Sequence, residues 1–476
     1  MKLSHVRNAH FVGIGGAGVS GLARIAIEAG VAVTGSDLTA NALTAELQRK
    51  GAVIHTEHKA ENIGPDCTLV IISAAVKPSN PEYREAERRG IRIMKYAEAL
   101  GELTRNHTNL CVAGTHGKTT TTAMLAQILH ENGKKPGWVV GGEPASLPAA
   151  SAAGRGVQFV LESCEYDRSF LRLNPSVVVL NNVELDHMDV YGDLDGCTQG
   201  FLEFVRRLPP RGTLFFNADD ERCAEIARKA GCLTVGFGEG TGATWRLAEL
   251  DMSTGFARAQ VIYRGMRVGA MQMEVPGKVN AINALGALAA ANWAGVPAGK
   301  ALASLRNFAG TKRRFEVLGS IGGVPLVDDY AHHPTAVKQL LETARATFVN
   351  RRIVAVFQAH QYQRLFTFFD EFASLLTKAD RVLIARTYAA REEGVVPGEP
   401  EERLARTLRA AHTDAFSYGD FSSIVQDLSL KLSPTDVVLF IGAGDVNLIA
   451  TELLARREYI STRLRAIRPL VPAEAA

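Results

Sequence analysis

No two of the six cysteines, at positions 67, 111, 164, 197, 223 and 232, stand in a C-x-x-C spacing. Their scatter argues against a zinc cluster and a disulfide framework, and suits a reducing compartment. Charge of one sign is lacking as well. Lys and Arg number 53 against 50 Asp and Glu, a net charge of +3 over 476 residues, and no basic block exceeds a few residues. Bulk charge therefore gives no support to nucleic-acid or anionic-membrane binding, so any anion must be met by a local site. Long apolar runs are absent too: stretches such as DVVLFIGAG (436–444) are strand-sized, not membrane-sized. The opening residues MKLSHVRNAHFVGIGG hold no long apolar segment ahead of a cleavage site, so no signal peptide is expected. A cytoplasmic protein without membrane insertion or a nucleic-acid partner is the expectation.

What is present is a globular composition, 46% apolar and 22% charged, long enough for two to four domains. Short apolar runs alternate with helical patterns. Strands are expected at 10–14, 31–35 and 68–73, which is a βαβ series and predicts a parallel sheet. A polar join, LTRNHTN, lies at 103–109. A second series follows, with strands at 157–162 and 176–182, alternating segments at 244–275 that read as antiparallel strands, and the small-residue helix NAINALGALAAANWAG. A third series from about 312 carries strands at 325–328, 352–357, 381–385 and 437–441. Joins near 106 and 311 divide the chain into 1–106, 107–311 and 312–476.

The motifs stand at the ends of these strands. GIGGAG (13–18) fits G-x-G-x-x-G through Gly13, Gly15 and Gly18, after a strand and before a helix, with Asp37 ending the next strand. That is the dinucleotide fingerprint in its expected context, but its glycines recognise only diphosphate geometry. AGTHGKTTTT (113–122) is a second anion site: Gly114 and Gly117 permit a tight curve, Lys118 can reach phosphates, and Thr119 opens a helix where a phosphate-loop threonine holds Mg²⁺. LESCEYD (161–167) brings Glu162, Glu165 and Asp167 close together, which repel unless a cation offsets them. NNVELDHMD (181–189) brings Asp186, His187 and Asp189 to the same sheet edge if the two strands are parallel neighbours. Asn280 and Asn283 share a helical face or cap the helix. Arg313 and Arg314 lie at the second join. Asp329, His332 and His333, then His360 and Arg364, follow later strands.

In order, GIGGAGVSGLA, SAAVKPSNPE, AGTHGKTTTT, ESCEYDRSF, NNVELDHMDVYG, NAINA, GTKRRFE, DDYAHHPT, FQAHQYQR and FIGAGDV resemble the Mur ligases, ATP-dependent amide-bond ligases of peptidoglycan synthesis. The resemblance runs from about residue 9 to 447. It implies an α/β protein of three domains: a Rossmann-like N-terminal domain for the UDP-sugar, a central P-loop-type ATP-binding domain, and a Rossmann-like C-terminal domain. It implies ATP and Mg²⁺, and within the family it leans to the branch that joins L-alanine to UDP-N-acetylmuramate, as monomer or homodimer. The alternatives are a recycling ligase that adds a preformed tripeptide to the same sugar and, in another class, an NAD-dependent oxidoreductase.

By the same resemblance, Gly114, Thr115, His116, Gly117, Lys118, Thr119, Thr120, Asn280, Asn283, Arg314 and Asp329 would bind ATP. Gly15, Gly16, Gly18, Ser20, Asp37, Ser73, Glu165, Asp167 and Arg313 would serve the UDP-sugar. Thr119, Glu162 and His187 would hold metal, and His360 and Arg364 would face the acceptor. Lys118, His187, Arg314 and His332 would be catalytic. Three positions depart from the family pattern: Cys164 replaces an aspartate, Val279 a histidine and Gln361 an arginine.

Overall fold

The structure, a computed structural model, describes residues 6–389, 392 and 398–467. The chain divides into two compact units. One takes the chain up to Leu250 with Arg258–Glu274 and Val279–Thr311; the other takes Asp251–Ala257, Val275–Lys278 and the chain from Lys312. Among the described residues no helix is long and apolar enough to cross a membrane, and all six cysteines are free thiols.

The first sheet has five parallel strands in the order Val53–His55, Ala32–Ser36, Asn8–Val12, Leu69–Ile72, Arg92–Lys95. Strand order therefore reverses at Asn8–Val12, the strand that feeds the glycine turn, where such sheets open a crevice for ligands. The central strands are apolar on both faces, as a sheet covered by helices requires. Phe11, Ile14 and Leu22 are fully buried, each worth about 2 kcal/mol. The two edge strands escape sequence reading because VIH and RIMK are short and mixed.

A polar knot lies inside this domain. Glu82, wholly buried, accepts from Ser36 Oγ at 2.6 Å and Asn62 Nδ2 at 2.7 Å, and meets His10 Nε2 at 3.3 Å and His58 Nδ1 at 2.9 Å. It ties the helix Pro81–Arg88 to the strands Asn8–Val12 and Ala32–Ser36.

The second sheet is built around Thr108–Ala113. Val177–Leu180, Thr213–Asn217 and Leu233–Gly238 lie on one side, followed by Trp245–Asp251, Phe256–Tyr263 and Met266–Pro276. Gln158–Glu162, Gly137–Val139 and Ser151–Ala152 lie on the other. The strands 158–162 and 177–180 are therefore not neighbours: each pairs in parallel with Thr108–Ala113, which runs between them. The helix Lys118–Glu131 is buried from Thr119 through Leu129, so packing overrides the poor helix propensity of four threonines. The helix Ala298–Arg306 packs against it, with Gln127 Nε2 donating to the Ser304 carbonyl at 3.1 Å; in the helix Lys278–Trp293, Ala281, Ala284, Ala287 and Ala291 are buried.

In the second unit a six-stranded sheet runs Glu316–Ile321, Val324–Asp329, Asp436–Ile441, Arg352–Phe357, Arg381–Ile384, Asp414–Ser417. The first pair is an antiparallel hairpin and the rest are parallel. Separate apolar clusters cover its two faces, around Phe357 and Phe372 and around Phe440 and Leu428.

Glu82 gives a testable pH dependence. Burial raises a carboxyl, but the hydrogen bonds from His10, Ser36 and Asn62 outweigh it and hold Glu82 down at about 2. A depressed carboxyl stabilises the fold above its unfolded value and loses that contribution as pH falls toward 2. Denaturant titrations at pH 5 and pH 2.5 should differ by about 2 kcal/mol on its account, and Glu82→Gln should remove that part of the difference.

Candidate functional site

Four segments meet at the carboxyl edge of the second sheet: the loop 114–117, Gly141 and Gly142 after Gly137–Val139, the run from Glu162 to Asp167, and residues 181–187. Lys118, first residue of its helix, turns back over the loop. Its Nζ donates to the carbonyls of Gly114 at 2.6 Å and Thr115 at 3.0 Å and pairs with Glu165 at 2.9 Å. Burial opposes the Lys118 charge, but Glu165 outweighs it and the pKa lies above the ordinary lysine value. Glu165 is 4% exposed, and a carboxylate so buried is tolerable only when paired. Its backbone carbonyl also accepts from Tyr191 Oη at 2.7 Å.

Beside this pair the Thr119 hydroxyl donates to Glu162 Oε1 at 2.9 Å, and Glu162 Oε2 accepts from Gly141 N at 2.6 Å. Gly141 was missed by sequence reading. A Cβ there would stand 2.6 Å from Glu162 Oε1, so only glycine leaves the carboxylate its place. The signal available was the Gly-Gly pair straight after the apolar run WVV. Thr119 and Glu162 offer two hard oxygens side by side, which fits Mg²⁺ with water completing its shell.

His187 lies on the far side, Nε2 3.8 Å from Glu165 and its ring 5.0 Å from that of Tyr166. Its backbone is left-handed, φ 50°, an uncommon state for a residue with a side chain and one that collects at functional sites. The structure thus brings together Lys118, Thr119, Glu162, Glu165 and His187. It does not gather three carboxylates: Asp167 turns outward and pairs with Lys95 at 2.9 Å.

Around the loop, Thr115 N and His116 N donate to Asn182, to its carbonyl and to its Oδ1 respectively. Thr120 is buried in the helix's first turn. Asn280 and Asn283 lie inside the helix Lys278–Trp293 rather than capping it, and the Asn283 amide fills the space beside Gly117, 2.7 Å from where a Cβ would be.

In the first domain Gly13–Gly16 form a turn closed by Gly16 N donating to the Gly13 carbonyl at 3.2 Å. The helix Ala17–Glu28 starts there without a side-chain cap or a first-turn acid, which leaves its N-terminus suited to an anion. Gly18 lies under the Tyr96 ring. Ser20 bonds back to the Ala17 carbonyl, and Ser73 Oγ accepts from Ala75 N. Asp37 accepts from Gly15 N at 2.9 Å, so its carboxylate already occupies the glycine turn.

In the second unit Arg313 is held by Asp328 at 3.1 Å and the Gly442 carbonyl at 2.7 Å. Burial pushes Asp328 up to about 6 against the pull of Arg313. Asp329 accepts from the N–H groups of Phe315 and Ala331, and burial raises its pKa as well. Arg313 and Arg314 both lie over the Tyr330 ring, 5.0 Å from its centre. His332 is edge-on to Tyr330 and 5.8 Å from His360, which stacks on Tyr388. Arg364 donates to the His360 carbonyl at 3.1 Å. Gln361 takes φ 73° at the start of the helix Tyr362–Thr367.

A strand, a short glycine loop and a buried helix, with lysine and carboxylates converging at the sheet edge, define an α/β protein of the phosphate-loop kind. Three family models match it in sequence: Mur ligase family, catalytic domain, over 8–108; Mur ligase middle domain over 112–291; and Mur ligase, glutamate ligase domain, over 313–444. The chain is 38% identical over 459 residues to the UDP-N-acetylmuramate–L-alanine ligase of Chlorobaculum tepidum, covering 96% of each. It is 40% identical over 448 residues to that of Salinibacter ruber, covering 93% of this chain and 94% of the other. The crystal structure of the UDP-N-acetylmuramate–alanine ligase of Thermotoga maritima superposes with a TM-score of 0.80 at 28% identity, over 95% of this chain and 99% of that one. A murein peptide ligase from Psychrobacter arcticus shares the fold, TM-score 0.72 at 24% identity, over 96% of this chain and 99% of that one. The chain belongs to the Mur ligase family.

Gly141→Ala should drive Glu162 away from Thr119. The expected result is a rise of roughly tenfold or more in the Mg²⁺ concentration for half-maximal turnover, with the melting temperature little changed.

Proposed function

We propose that this chain is an ATP-dependent ligase that joins L-alanine to the carboxylate of UDP-N-acetylmuramate, in peptidoglycan precursor synthesis in the cytoplasm. The observation that carries the reading is the Lys118–Glu165 pair beside Thr119–Glu162 at one sheet edge. We read the domains as 1–106 for the UDP-sugar, 107–311 for ATP and 312–476 for the acceptor.

A carboxylate does not react with an amine, because its oxygen is a poor leaving group. ATP supplies the remedy. A carboxylate oxygen attacks the γ-phosphorus, the bond to the β-phosphate oxygen breaks, and ADP leaves an acyl phosphate. The alanine amine then adds to the acyl carbon and loses a proton, and phosphate departs with the original carboxylate oxygen.

Two anions must meet, so the site has to supply positive charge. Lys118 exchanges the Gly114 and Thr115 carbonyls for phosphate oxygens, and the helix N-terminus at 118–120 adds its N–H groups. Mg²⁺, when bound, neutralises phosphate charge; Thr119, Glu162 and His187 are the residues that would hold it. Asn280 and Asn283, with Arg314 and Asp329, are assigned to ATP. The turn Gly15–Gly18, with Ser20, Asp37 and Ser73, is assigned to UDP. Glu165, Asp167 and Arg313 are assigned to the sugar side of that substrate. His332 is assigned to the reacting end, and His360 and Arg364 to the acceptor.

The test is an acceptor assay. UDP-N-acetylmuramate and ATP with L-alanine should release ADP and phosphate in equal amounts. Turnover only with the preformed tripeptide would replace the acceptor with that of a recycling ligase, and nicotinamide reduction without ADP release would favour the oxidoreductase. Lys118→Ala should lower turnover by about 10³-fold or more.

A further inference from the structure

The phosphate loop does not hold its own shape. Residues 181–184, leaving the strand Val177–Leu180, bond to it step by step. Asn181 Nδ2 donates to the Thr121 hydroxyl at 3.0 Å, in the helix that follows the loop. Asn182 meets three backbone groups: its carbonyl accepts from Thr115 N at 3.1 Å, its Oδ1 accepts from His116 N at 2.7 Å, and its Nδ2 donates to the His116 carbonyl at 3.2 Å. The Thr115 hydroxyl accepts from Glu184 N at 2.8 Å and donates to the Glu184 carbonyl at 3.2 Å. A side chain thus bonds both backbone groups of one residue, as a neighbouring strand would. Glu184 Oε2 lies 3.3 Å from His116 Nε2.

Gly114 marks the closest approach. Its φ is +137°, and a Cβ there would stand 3.1 Å from Asn181 Cβ and from the backbone N and O of Asn182. The loop is pressed closely onto 181–184, and the positive φ at the contact calls for glycine.

We propose that Asn182 and Glu184, acting with the Thr115 hydroxyl, are positioning residues for the nucleotide. They form a template that turns the Thr115 and His116 N–H groups into the protein and leaves those of the first helical turn, 118–120, for phosphate. The inference rests on the reading that this loop takes ATP phosphates, and it reassigns Thr115 from ligand contact to loop support. The first N–H groups of a helix have no partner within it, so a loop fixed in this register presents them at no cost of reorganisation when the anion arrives. A loop free to rearrange would have to be ordered on binding, at the expense of affinity.

Thr115→Val is nearly isosteric and removes both bonds to Glu184, Thr115→Ser keeps the hydroxyl, and Asn182→Ala removes both amide bonds. Nucleotide affinity is measured by calorimetry with ATP and Mg²⁺ in the absence of acceptor, together with KM for each substrate, kcat and the melting temperature. Expected are a rise of about tenfold or more in Kd and KM for ATP in Thr115→Val and Asn182→Ala, the equivalent of at least one net hydrogen bond. KM for UDP-N-acetylmuramate should stay within about twofold, and Thr115→Ser should restore ATP affinity to within about twofold of wild type. ATP affinity unchanged in a folded Thr115→Val protein overturns the proposal, as does an equal loss for both substrates that serine does not rescue. Should Asn182→Ala fail to fold, the valine and serine variants decide alone. A wild-type protein that binds no nucleotide overturns both this inference and the reading beneath it.

Discussion

A half-buried lysine next to a buried glutamate is the constraint on which the rest of the site depends. Lys118 and Glu165 are 2.9 Å apart and nearly enclosed, and neither charge could be kept there alone. Together they fix a cation at the carboxyl edge of the central strand, over a loop whose carbonyls it also bonds. Thr119 is the next residue on the helix, so placing Lys118 also places the hydroxyl that meets Glu162. On the proposed reading, an incoming triphosphate would exchange partners with Lys118 rather than order a disordered loop, which is the sense in which the site is preorganised.

The sheet topology explains why these groups meet. Thr108–Ala113 has Gln158–Glu162 on one side and Val177–Leu180 on the other. Three successive parallel strands therefore deliver, at one edge, a lysine loop, a pair of glutamates and a histidine. The same topology carries the support: Gly141, from the next strand outward, holds Glu162 by its N–H, and residues 181–184 hold the loop. A reaction between two anions requires this concentration of donors and positive charge, because water at the same place would screen the charges without orienting them.

Much of this was readable from residues in order. The glycine turn before Ala17–Glu28, the short loop before Lys118 and the acidic run after Glu162 each follow an apolar strand, and strand ends are where such sheets bind. The neighbour relations were not readable. Sequence reading brought the ends of 158–162 and 177–180 together on the condition that the two strands were neighbours, whereas the lysine-loop strand lies between them. It grouped Asp167 with Glu162 and Glu165, but Asp167 and Arg168 both take positive φ, in a turn that carries the Asp167 carboxylate out to Lys95. It passed over Asn182 and Glu184 because a template is a non-local property: the polar residues of NNVELDH carry no mark that they serve a loop 66 to 69 positions earlier. The edge strands VIH and RIMK were missed because three or four mixed residues give no period to read.

The central claim is that the sugar's carboxylate and the γ-phosphate of ATP react directly at this edge. It is tested most directly by following one oxygen atom. UDP-N-acetylmuramate labelled with ¹⁸O in its carboxylate is turned over with unlabelled ATP and L-alanine, and the released phosphate is analysed by mass spectrometry. Attack of the carboxylate on the γ-phosphorus predicts one labelled oxygen in each phosphate formed. Phosphate released with no label, while the amide product accumulates, would contradict it.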